Sequence, residues 1–177
     1  MNFLPLILET VFMIVLKRIL VATDFGEAAG AALQYGRELA RMSGARLDVV
    51  HVADNVMARG FGADGFTVDF SAMQRDLEAA ERRQLEALVD LEDGSIVKAK
   101  PVLLISSSPA VAIAHYAKES EADLIVMGTH GRNGVTHLLM GSVAERVVRI
   151  APCPVLTVRH PEREFVVPDA LVAVATA

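Results

Sequence analysis

The chain has 177 residues, 53% of them hydrophobic and 22% charged, with a net charge of −5. That length suits one domain with a sizeable core and leaves little room for a second, while the hydrophobic share excludes a disordered chain. The acidic balance and the lack of a Lys/Arg cluster exclude a broad nucleic-acid surface, because neutralising phosphates needs clustered cations.

In chain order, residues 1–16 are strongly apolar but interrupted by Pro5 and Glu9. They lack a basic start and a small-residue cleavage site, so they do not read as a secretion signal. Lys17 and Arg18 end the run short of the ~20 residues a membrane-spanning helix needs. Met13 stands just ahead of KRILVATDF, so residues 1–12 read either as an upstream start or as an added element on a sheet edge.

Five apolar runs follow: Ile19 to Ala22, Leu47 to Val52, Val102 to Ile105, Leu124 to Met127 and Val155 to Val158. Runs without alternation fit strands buried on both faces of a parallel sheet. Helical spacing fills the gaps. Ala28, Ala32, Tyr35, Leu39 and Met42 predict a first helix ended by Gly44. Met73, Leu77, Ala80, Leu88 and Leu91 predict a longer charged helix closed by Gly94. Ala110, Ile113, Ala114 and Ala117 predict a third after Pro109. The fourth runs from Ser142 to about Ile150, with Val143, Val147 and Ile150 expected inside. Strands alternating with helices predict an α/β doubly wound, Rossmann-like fold, a five-stranded parallel sheet of order 3-2-1-4-5 with helices on both faces.

Two stretches break the rhythm. Asn55 to Phe70 carries three glycines and reads either as a lid over the sheet end or as a tolerated insertion. Residues 161–177 end in the apolar LVAVATA and form a separate tail after a domain at 17–160. Cys153 stands alone between Pro152 and Pro154, so it makes no intrachain disulfide and the chain needs no oxidising compartment. A cytoplasmic location is expected.

The densest functional signal lies at residues 124–158. Strand four runs into Gly128-Thr129-His130-Gly131, and after nine intervening residues Gly141-Ser142 opens the fourth helix. Glycines let backbone N–H groups approach an anion, and a helix start supplies unpaired donors with partial positive charge. In the expected strand order this turn shares a crevice with the end of strand one, Ala22-Thr23-Asp24. Asp24 reads either as a ligand to a bound molecule or as a cap for the first helix. Ser142 reads either as a ligand or as part of a capping box with Glu145. His130 sits inside the glycine turn, where its backbone matters more than its imidazole, while His51, His115, His137 and His160 lack paired metal spacing and read as packing or surface residues.

The spacing Gly-x2-Gly-x9-Gly-Ser resembles the ATP-binding signature of the universal stress protein family. KRILVATDF, LDVVHV, EADLIVMGTHG and LLMGSVAERVVRIAPCPVLTV extend the resemblance over Lys17 to Arg159. It implies that Ala22 and Asp24, with the backbone at Val52, contact the adenosine part of a nucleotide. It further implies that Gly128, Gly131, Arg132, Gly141, Ser142 and Val143 hold the phosphates. The implied ligand is ATP, with AMP or ADP weaker, and Mg or Mn bound through the phosphates. The implied partner is a second copy of the chain, paired through the last strand. Many relatives carry a glycine after the third strand, where this chain has Ser106-Ser107-Ser108. No Walker Gly-x4-Gly-Lys, pyrophosphatase Ser-Gly-Gly loop or acidic cluster is present, so a nucleotide-dependent stress-response regulator with at most slow ATP hydrolysis is expected, the alternative being a nucleotide-independent dimeric interaction module of the same fold.

Overall fold

A computed structural model describes residues 13–59, 69–90, 98–129 and 141–159. Five strands, β1 (Arg18–Ala22), β2 (Arg46–Ala53), β3 (Ala99–Ile105), β4 (Leu124–Gly128) and β5 (Val155–Val158), form one sheet. All pairings are parallel, in the order β3-β2-β1-β4-β5. Among the described residues the helices are α1 (Glu27–Ser43), α2 (Phe70–Asp90), α3 (Pro109–Glu119) and α4 (Ser142–Ile150), and a 3-10 turn covers Val56–Arg59.

Alternate residues of each central strand serve opposite faces. Ile19, Val21, Leu47, Val49 and Val126 pack with Ala32 and Tyr35 of α1 and Leu85 of α2. Leu20, Ala22, Val50, Ile125 and Met127 pack with Ala110, Ile113 and Ala117 of α3 and Ala144 and Val147 of α4. Thus α1 and α2 cover one face of the sheet, and α3 and α4 cover the other.

Two glycines set how closely α1 lies on the sheet. A Cβ at Gly36 would come within 2.2 Å of a Val21 methyl, and one at Gly128 within 2.9 Å of Ala28. Gly44, at φ 70°, ends α1 in the left-handed conformation and returns its N–H to the Ala40 carbonyl. Buried Arg37 donates to the carbonyls of Leu88 and Val89 at 3.3 and 3.5 Å, placing a cation on the C-terminal turn of α2.

Several helical expectations need correction. Met42 and Met73 are exposed, and Ala80 faces solvent. The inner face of α2 instead carries Gln74 and Leu85, because this helix closes over the polar exit of β2 as well as over the core. Leu91 and Gly94 lie outside the described residues. In α4 the buried positions are Ala144 and Val147, while Val143 and Ile150 are exposed. The start of α3 holds the three serines in a turn, with Ser106 Oγ accepting from the Ser108 N–H at 3.0 Å. Strand β3 starts three residues earlier than its apolar run, since an edge strand tolerates Pro101.

Candidate functional site

The connections leaving β1 and β4 go to opposite faces, one into α1 and one towards α4. Neighbouring strands whose crossovers diverge leave a crevice at their carboxyl ends, the usual ligand position in open α/β sheets. Ala22, the last residue of β1, pairs with Met127 beside this opening.

The turn leaving β1 is tightly held. Thr23 N–H donates to the Val50 carbonyl at 2.9 Å. Phe25 N–H donates to Thr23 Oγ1, and Gly26 N–H to Asp24 Oδ1, each at 3.0 Å. Phe25 has φ 65°, which is strained for a bulky residue and is kept only where surroundings over-determine it. Asp24 therefore shapes the turn ahead of α1, and Gly26 is the residue at the N-cap.

On the other side, Gly141 N–H donates to the Thr129 carbonyl at 2.6 Å, and Thr129 N–H to the Val158 carbonyl at 2.8 Å. These bonds dock the start of α4 against the end of β4. Gly141 is the N-cap residue and its carbonyl accepts the first intrahelical bond, from Glu145 N–H at 2.9 Å. Ser142 is thus the first helical residue, and the capping box is not formed. Glu145 instead pairs with Arg149 at 2.8 Å. The N–H groups of Ser142, Val143 and Ala144 have no partner within the helix, so the donors begin one residue later than the glycine itself. Ala144 joins them, and only the cap position, not the motif, identifies it.

Gly128 ends β4, and its lack of a side chain serves the close approach of Ala28 and Ala29. Val52 lies one strand over in β2, paired with Leu104. Ala22 and Gly128 thus end the neighbouring strands β1 and β4, Asp24 follows in the β1 turn, Gly141 with Ser142 and Val143 docks on the residue after β4, and Val52 lies one strand over. Gly131 and Arg132 lie outside the described residues.

Beyond Val52, Gln74 of α2 accepts from Val56 N–H at 2.9 Å and donates to the Asp54 carbonyl at 3.3 Å, fixing the chain as it leaves β2. His51 is buried, with Nδ1 2.8 Å from the Thr23 carbonyl and its ring 4.4 Å from that of Phe25. Gln74 escapes sequence reading, while His51, expected as a packing or surface residue, is buried with a polar partner. Among the described residues no group of three or more His, Cys, Asp or Glu could hold a metal ion, and no helix is long and apolar enough to cross a membrane.

A doubly wound α/β protein whose strand order reverses between β1 and β4 is the class that this architecture defines. The profile of the universal stress protein family matches residues 16–159, and the chain belongs to that family. It is 39% identical over 143 residues to a universal stress protein of Thermus aquaticus, covering 81% of this chain and 98% of that one. A Methanocaldococcus jannaschii member is 32% identical over 148 residues, covering 84% and 85%. Among solved structures, a family protein from Burkholderia pseudomallei is 34% identical with a TM-score of 0.63, covering 80% of this chain and 95% of that one. A universal stress protein in complex with cAMP (21% identical, TM-score 0.58; 81% and 97% covered) shares the fold. So does one from Archaeoglobus fulgidus in complex with dAMP (23% identical, TM-score 0.52; 82% and 99% covered).

Proposed function

We propose that this chain is an ATP-binding universal stress protein, a cytoplasmic stress-response regulator whose bound nucleotide sets its conformation or partner choice. The observation that carries this reading is the docking of the α4 start onto the end of β4 through the Gly141–Thr129 bond. It brings the start of α4, whose first N–H groups have no partner within the helix, to the end of β4 beside β1, and a helix start in that position is suited to polyphosphate. Adenine nucleotides bound in two proteins of this fold support the choice of base.

In this reading Gly131 and Arg132 complete the phosphate contacts, and AMP or ADP binds more weakly than ATP because fewer phosphates reach the helix. Mg or Mn is held through the phosphate oxygens. Asp24 and the backbone at Ala22 and Val52 meet the adenosine. Turnover is slow or nil, because the chemistry lacks a Walker lysine and a paired general base. A second copy pairs through β5, whose outer edge is not covered by any described strand.

Ser142→Pro separates binding from folding. Proline is favoured at the first helical position and removes only the N–H, and Gly141, at φ −69° and ψ 151°, already has the backbone that precedes proline. A charge-assisted hydrogen bond contributes about 1.5–3 kcal/mol, so ATP affinity should fall roughly tenfold or more with thermal stability nearly unchanged. Equal affinity in wild type and variant by calorimetric titration would remove the α4 start from the site.

A further inference from the structure

His51 and Glu81 meet between β2 and α2, beside the turn that leaves β1. Nε2 of His51 and Oε2 of Glu81 lie 3.4 Å apart, with the side chains 8% and 18% exposed. Both atoms are shut off from solvent, and neither makes a hydrogen bond among the described residues. The other ring nitrogen, Nδ1, is 2.8 Å from the Thr23 carbonyl. A carbonyl only accepts, so Nδ1 carries its hydrogen. Every remaining question of protonation therefore falls on the gap between Nε2 and Oε2. Without a proton there, a lone pair faces a carboxylate in a low-dielectric site, which drives β2 and α2 apart or swings the ring off Thr23. With one proton, the gap becomes a charge-assisted hydrogen bond, and the ring bridges α2 to the turn.

We infer that His51 and Glu81 share a single proton that clamps the Thr23–Gly26 turn, making the crevice between β1 and β4 proton-linked. The clamp acts on backbone that cannot relax freely. Phe25 is held at φ 65°, with its ring 4.4 Å from the imidazole and tilted by 44°, a distance at which an imidazolium is also attracted to the aromatic face. Thr23 and Asp24 tie the next two amides. Losing the Nδ1 contact therefore frees the turn that carries Asp24.

Among the described residues, Glu81 is the carboxylate facing the imidazole from α2. Glu78 on the same helix is engaged by Gln74 at 2.9 Å, and Asp24 in the β1 turn accepts from Gly26. The β3 neighbour of His51 is apolar Leu103. The clamped turn holds one more proton than the released turn, so the clamp is favoured at low pH and loosens as pH rises. That the crevice holds a nucleotide rests on the proposed function, but the clamp does not.

Nitrogen-resolved NMR of the ligand-free full chain between pH 5 and 8, the range over which imidazoles change charge, tests it. Nδ1 of His51 should stay protonated throughout. The ring should titrate in one step, the amide signals of Phe25 and Gly26 should move with it, and Glu81→Gln should displace that step. A ring with no step, amides that stay still while it titrates, or an unchanged step in Glu81→Gln overturns the clamp. In parallel, ATP affinity should fall several-fold across the step in wild type and less so in Glu81→Gln, a comparison that cancels the titration of ATP itself. If ATP binds at no pH, the nucleotide reading fails, and the ligand-free titration still decides the clamp.

Discussion

Tyr116 and Asp48 lie at the amino ends of the strands, away from the crevice. The Tyr116 hydroxyl donates to Asp48 Oδ2 at 2.9 Å, and Arg18 Nε stands 4.0 Å from the same carboxylate oxygen. Asp48 is buried, so its charge needs these partners. Burial, then the hydrogen bond and charge of Asp48, push the Tyr116 hydroxyl from its ordinary 10.0 up to about 12. The sign is that of a raised value. The stabilisation is complete below pH 10 and is lost as pH climbs towards 12, because the unfolded chain gives up the phenolic proton first. Tyr116→Phe leaves a buried carboxylate oxygen short of a donor and should cost about 1–3 kcal/mol at pH 7. Denaturant unfolding of both proteins should show that difference shrinking above pH 10. A gap that holds constant to pH 12 would dissociate the hydroxyl from Asp48. Nearby, Asp123 accepts the N–H groups of Lys17 and Arg18 at 2.7 and 2.8 Å, bonds that hold its carboxyl below the usual range.

At the scale of elements, one glycine packed against α1 and one within it separate packing from flexibility. Gly128 receives the first turn of α1, with Ala28 atoms 2.9 Å and Ala29 N 3.0 Å from a Cβ placed there. Since these are mostly backbone contacts, Gly128→Ala should cost about 1–3 kcal/mol, roughly 2–4 °C of melting temperature for each. Gly30 is exposed in the same helix with nothing within 4 Å of an added Cβ, so Gly30→Ala should stabilise by about 0.4–1 kcal/mol. Thermal melts in which Gly128→Ala equals wild type would contradict this seating of α1 on β4.

The same elements show what the sequence carries and what it hides. All five strands, their order and the ends of α1, α3 and α4 follow from apolar runs, from Gly44, Pro109 and Gly141, and from the family resemblance. The inner face of α2 does not follow, because Gln74 and Glu81 turn inward to serve the polar end of β2, and periodicity counts only apolar residues. Ser142 misleads for a related reason. Its spacing to Glu145 satisfies a capping pattern, yet Gly141 takes the cap because its N–H is drawn to Thr129. The roles of Gly131 and Arg132 rest on resemblance alone.

At the scale of the molecule, the sheet ends at β3 on one side and β5 on the other. Lys100 and Pro101 blunt the β3 edge, whereas VLTV of β5 carries neither device. The proposed pairing of two copies through β5 would satisfy both outer edges with one patch. Ile125 N–H bonds to the Pro154 carbonyl and Thr129 N–H to that of Val158, so alternation along the ladder turns the N–H of Thr157 outward. Thr157→Pro should then leave the monomer folded and abolish the dimer. Sedimentation should show wild type as a dimer at tens of micromolar (roughly where micromolar affinities are seen) and the variant as a monomer. A wild type that is already monomeric there would reject pairing through β5.

Amide NMR of the wild-type chain during titration with Mg-ATP addresses the central claim most directly, because it reads occupancy and location together. Saturable shifts should concentrate at Ala22 to Gly26, at Val52 and Asp54, and at Gly141 to Ala144, surrounding the opening between β1 and β4. Spectra unchanged at millimolar ATP, or shifts centred on another part of the fold, would contradict a nucleotide site in this crevice.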